Sequence, residues 1–143
     1  MKPRRILQIL TRSAAVFAFC AAAGSMPALA AGPLEGKVFV GEAGEKGKPA
    51  DEKNDVITFA EGRFHSSACD QWGFGKGEYK VRTEGEATVF EAETVSDKEG
   101  RLQWTGTLKD GVLEGRFVHL RKPAWYRPNP EPVEHWFKAV PKS

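Results

Sequence analysis

From residue 34 onward, apolar residues recur at every second position in short runs, and most runs are broken by a glycine next to an acidic residue. No segment carries apolar residues at helical spacing over three turns, so the pattern predicts strands. Leu34–Val40 predicts a first strand, with Leu34, Gly36, Val38 and Val40 on one face. The stretch 41–54, GEAGEKGKPADEKN, offers little apolar area to bury and predicts an exposed, mobile loop. Asp55–Ala60 and Arg63–Ala68 predict a hairpin turning at Glu61-Gly62. Phe74–Thr83 and Glu86–Ser96 predict another, turning at Glu84-Gly85.

The clearest pair is Arg101–Leu108 with Val112–Arg121. Leu102, Trp104, Gly106 and Leu108 alternate on one strand; after Asp110-Gly111, Leu113, Gly115, Phe117 and His119 alternate on the next. Glycine weakens a strand, so Gly106 and Gly115 predict close packing, a bulge or a bend. Residues 122–132, KPAWYRPNPEP, cannot join a regular ladder and predict a rim or loop segment before a last strand, Val133–Val140. Eight strands joined mostly by short turns predict an all-β fold: a single antiparallel up-and-down barrel, with a flattened sandwich as the alternative. An eight-stranded barrel has an interior wide enough for side chains or for one small ligand.

The spacing W-x-G-x-L-x-D-G-x-L-x-G from Trp104 to Gly115, followed by the aromatic Phe117, resembles a hairpin of the calycin-like small barrels, the architecture of the lipocalins and of streptavidin. The likeness covers strand rhythm along residues 31–143 and particular residues only in this hairpin. It implies a barrel able to hold a ligand. The glycine and tryptophan of the lipocalin first strand have no counterpart here, where Gly36-Lys37-Val38 stands, so no family binding residue carries over.

The first thirty residues have a different character. Lys2, Arg4, Arg5 and Arg12 precede an apolar run over 13–23, and small residues at Ala28 and Ala30 follow, the three-part pattern of a secretory signal peptide cleaved after Ala30. The apolar run is well short of the ~20 residues a spanning helix needs. Arg4-Arg5 lies too far from the apolar run to favour the twin-arginine route, and Cys20 follows Phe19 where a lipoprotein signal needs a small residue. The leader predicts an exported protein, periplasmic or secreted, with no transmembrane segment in its mature part.

Setting the leader aside changes the charge balance. It holds four of the chain's 21 Lys and Arg and none of its 19 Asp and Glu, so 17 bases face 19 acids in the remainder. That excludes the basic surface nucleic-acid binding requires. Cys69 becomes the sole cysteine, which rules out an intramolecular disulfide and leaves a monomer or a Cys69-linked dimer.

Candidate chemistry concentrates in Arg63–Tyr79, RFHSSACDQWGFGKGEY. His65 and Cys69 are metal-ligand types, but on one regular strand they would sit about 13 Å apart and could converge only if the chain turned between them. No nucleophile signature surrounds Cys69, and the alternating acids Glu91 and Glu93 predict a wet strand face, so neither catalytic residues nor a cofactor are assigned. The aromatic residues exceed what the surface of so small a domain would carry. They predict either a solid core or the lining of a cavity for an apolar or aromatic small ligand. The candidate ligand-binding residues are His65, Ser67, Cys69, Asp70, Trp72, Phe74, Trp104 and His119. Trp125, Tyr126 and Arg127, among prolines and bases, are the candidate contact for an envelope partner or membrane surface unless their rings fold back to plug the barrel.

Overall fold

The computed structural model describes residues 32–143; the predicted leader lies outside them. Eight antiparallel strands follow one another: β1 (Val38–Glu45), β2 (Glu52–Ala60), β3 (Arg63–Ser66), β4 (Gly77–Glu84), β5 (Ala87–Ser96), β6 (Gly100–Lys109), β7 (Val112–Arg121) and β8 (Val133–Pro141). Each pairs with the next, and β8 returns to pair with β1 from Phe39↔Pro141 to Glu45↔His135. This closure makes a barrel of the meander, not a sandwich. At the level of strand number and order it agrees with the calycin architecture.

The turns follow local chemistry. Glu61 and Gly62 have φ of 55° and 71°, and Asp110 and Gly111 have 52° and 76°. Two successive left-handed residues make the tight turn whose twist matches the flanking strands.

The first strand differs from expectation. Residues 32–37 form a turn, with Glu35 N–H donating to Gly32 O and Lys37 N–H to Leu34 O, and β1 starts at Val38. Alternation restarts there, so Phe39 and Ala43 point inward while Val38 and Val40 are only partly buried. The expected loop 41–54 contracts to 46–51, because β8 and β2 pair with β1 on either side of residues 41–45, and Glu52 pairs back with Ala43 to carry β2 to its start. Pairing overrides their low strand propensity.

The barrel is filled from one end. Phe39, Phe59, Phe64, Phe90, Leu113 and Phe137 are buried together beneath Trp104. Phe59 meets Phe90 edge-on at 5.0 Å between ring centres, and Phe64 lies 4.8 Å from Trp104. Each buried ring contributes about 2–3 kcal/mol. Gly106 pairs with Gly115, and a Cβ on Gly106 would collide with the Phe90 ring and stand 2.7 Å from Phe137 Cζ. These in-strand glycines are therefore close packing, neither bulge nor bend. Leu34, fully buried, closes this end, and the Glu35 carboxylate accepts from Tyr79 Oη–H at 2.6 Å and Gly62 N–H at 3.3 Å.

The opposite end carries the long connections: 46–51, 67–76, 97–99 and 122–132. Outside, Arg82, Arg101 and Arg116 pair with Glu91, Glu93 and Glu134 across strands, so the outer face is charged. Such exposed pairs add little stability. Among the described residues, no helix is long and apolar enough to cross a membrane.

Candidate functional site

The end bearing the long connections is shaped by a corner after β3. Asp55 on β2 is 3% exposed, and its carboxylate accepts from Ser66 Oγ–H (2.6 Å), Ser67 Oγ–H (3.3 Å) and Ala68 N–H (3.0 Å). Ser67 Oγ in turn accepts from Val56 N–H at 2.9 Å. A buried carboxylate needs such donors. By collecting them from three successive residues, it draws the chain out of the strand into a 3-10 helix, Ser67–Trp72, which ends at Gly73 with φ of 80°.

The helix begins between His65 and Cys69, so the strand spacing that would hold them on one face does not apply. His65 lies on the face opposite Phe64 and Ser66, with Nε2 2.7 Å from Asp70 Oδ1. Cys69 packs against the core, its Sγ 3.4 Å from the Ser66 Oγ, whose own proton goes to Asp55, so the thiol S–H is the donor in this contact. Burial, more than the nearby carboxylates Asp55, Asp70 and Glu52, pushes the Cys69 thiol up to about 11. A thiol that stays protonated at neutral pH, with a serine for its hydrogen-bond partner, is a poor nucleophile.

Beyond the Trp104 layer the interior opens into a pocket of about 600 Å³. That volume lies within the range of small-molecule sites. Its floor is aromatic: Trp104 stacks on Phe117 at 4.2 Å, and Phe117 stacks on the His135 imidazole at 4.6 Å with planes 1° apart. Trp104 Nε1–H is satisfied by Thr94 Oγ1 at 3.3 Å. Leu102, Phe74 and Val133 make apolar wall, and His119 donates from Nε2 to the Glu99 carbonyl at 2.9 Å. Asp51, Glu52 and Asp55 reach the pocket from the β1–β2 side, Arg121 and Arg127 from the end of β7 and the segment after it. Burial lowers the His135 pKa below its usual 6.5, with His119 acting in the same direction and the Val133 backbone, Asp51 and Glu45 against it. The floor is therefore uncharged at neutral pH. Among the described residues, His135 Nδ1 and Arg127 Nε are buried without a hydrogen-bond partner.

Between β7 and β8 the chain makes a strap over the mouth. Ala124 and Arg127 exchange two backbone hydrogen bonds, of 3.0 and 2.9 Å, which turns the chain at Trp125-Tyr126. Those two rings point to solvent, 93% and 67% exposed, and do not plug the barrel. Arg127 turns back beneath Tyr126, its Cζ 5.6 Å from the ring centre, and lines the pocket.

Of the residues singled out from sequence, Cys69, Trp72, Phe74, Trp104, His119 and Arg127 come together around the pocket. His65, Ser67 and Asp70 do not line it; they hold the corner. Trp125 and Tyr126 stand at the strap's tip. Asp55, Leu102, Phe117, Arg121, Val133 and His135 also line the pocket, and sequence reasoning misses them as site residues. The alternation of Phe117 with His119 is a usable signal for one of them; Asp55 carries none. Among the described residues, no three His, Cys, Asp or Glu side chains are placed to hold a metal ion. Comparison with protein-family models, with curated proteins and with solved structures finds no match to this chain.

Proposed function

We propose that this is an exported small-molecule carrier or sensor, taking an apolar or aromatic ligand into the open end of the barrel. The observation behind this reading is the division of the interior: solid from Leu34 up to Trp104, open beyond it, with a stacked aromatic floor at the boundary. A barrel built for stability alone would continue the filling to both ends, since each further buried ring adds about 2 kcal/mol. The calycin-like strand order supports the same reading, as does a leader of secretory type. Native mass spectrometry of protein taken from its own compartment tests it. A small molecule should co-purify and be lost from Leu102→Trp, a variant that fills the pocket. Wild-type protein of bare polypeptide mass, which also fails to bind any aromatic probe, refutes the reading.

A second reading rests on the exposure of Trp125. An indole 93% exposed at the tip of a proline-braced strap supports docking on an envelope component. Replacing Trp125 and Tyr126 by alanine should then abolish capture of that component from an envelope extract, with thermal stability unchanged. Retained capture rejects the docking role.

A further inference from the structure

The pocket's charged groups are not equivalent. Of the four acids that line it, Asp55 is occupied by Ser66, Ser67 and Ala68, and Glu52 Oε1 accepts from the backbone N–H groups of Lys53 and Asn54, while Asp51 and Glu99 stand at the rim. Among the described residues, Arg82, Arg101 and Arg116 each pair with a glutamate, whereas Arg63, Arg121 and Arg127 belong to no ion pair, and of these Arg63 lies away from this pocket on β3. Arg121 and Arg127 face the pocket.

Arg127 is held in place. The two Ala124–Arg127 hydrogen bonds set its backbone, and Tyr126 lies against its guanidinium. Its Nε–H is buried with no acceptor among the described residues. A guanidinium stays charged at any physiological pH and has no acceptor capacity, so the group that satisfies it must bring an oxygen and is favoured if it brings negative charge.

We infer that the pocket selects flat aromatic molecules bearing one oxyanion, a carboxylate or sulfonate, bound with the ring system over the Trp104–Phe117 floor and the oxyanion on Arg127 and Arg121. This specificity rests on the ligand-binding reading above and adds to it the chemical class of the ligand. The strap then serves as the recognition element, with Arg127 its anion contact.

The test uses two fluorescent probes that differ by one group: 1-anilinonaphthalene-8-sulfonate and the uncharged N-phenyl-1-naphthylamine. Wild-type protein should bind both, the sulfonate about tenfold tighter. Arg127→Ala should bring the sulfonate down to the affinity of the neutral probe and leave the neutral probe unchanged, while Arg127→Lys should retain part of the preference. Leu102→Trp should weaken both, which places them in the pocket. Equal binding of the two probes by wild type, or a neutral probe bound more tightly, overturns the anion specificity and leaves the pocket reading standing. Binding of neither probe removes both.

Discussion

Phe117 and His135 face each other as parallel plates, their ring centres 4.6 Å apart and their planes 1° from parallel, on neighbouring strands β7 and β8. The stack places an imidazole in the pocket floor, where charging it is disfavoured by burial. The unfolded chain takes up this proton near pH 6.5, the folded chain only at lower pH, so the unfolded state binds more protons in the interval. His135 thus contributes stability that is complete above pH 6.5 and declines as pH falls toward the folded pKa. His135→Phe retains the stack and removes the titration. Its melting temperature relative to wild type should stay level from pH 7.5 to about pH 6.5 and rise from there to pH 5; a constant difference throughout would show that the imidazole does not titrate across unfolding.

The Cys69 thiol, raised from 9.0 to about 11, should react slowly. Two units mean roughly a hundredfold less thiolate at a given pH. Iodoacetamide at pH 8 should alkylate the native protein at least about 100-fold more slowly than the protein in guanidinium, and disulfide-linked dimer should accumulate slowly in air. Comparable native and denatured rates would contradict the burial of this side chain.

Asp55→Ala deprives Ser66, Ser67 and Ala68 of their shared acceptor. Lost charge-assisted hydrogen bonds of this kind cost about 2–3 kcal/mol, readable by urea denaturation. Cys69 alkylation should quicken as the corner loosens. If stability falls but the alkylation rate does not change, Asp55 stabilises β2 without organising the corner.

Two glycine-to-alanine changes should differ by mechanism. At Gly106 the new methyl meets the Phe90 and Phe137 rings and should cost about 2–3 kcal/mol by overpacking. At Gly111 it meets nothing within 4 Å, but φ is +76°, and the cost should be about 1 kcal/mol of backbone strain. Urea midpoints in the reverse order would place the tight contact elsewhere.

Trp125→Ala should leave unfolding free energy within about 0.5 kcal/mol of wild type, as for surface sites without partners. The same change should remove the largest single share of the iodide-quenchable tryptophan fluorescence, since Trp125 is 93% exposed against 56% for Trp72 and 2% for Trp104, with Trp136 partly buried. A marked loss of stability would mean that the indole packs against the barrel.

Strand number, the tight turns and the inward faces of β6 and β7 are all legible in the amino-acid sequence. They depend on period-two alternation and on turn residues able to take positive φ, which are properties of neighbouring residues. The same local signals misplace the first strand and make 41–54 read as loop, because the polar residues 41–45 become strand only when β2 and β8 lie on either side, and β2 reaches back to Glu52 only by pairing with β1. The corner is legible only as a question. Whether His65 and Cys69 share a face depends on Asp55, a partner more than ten residues away that no spacing rule connects to Ser66 and Ser67. Tertiary structure alone decides that one end of the barrel is solid and the other open. That division reflects volume summed across eight strands: five phenylalanines, with glycines clearing room for them, fill the end that Leu34 closes. Beyond Trp104 the inward positions pass to histidines, arginines and shorter side chains that leave space between them. Alternation assigns each residue to the inside or the outside; closure of the sheet determines which inside residues lie at the same height, and so where the pocket is.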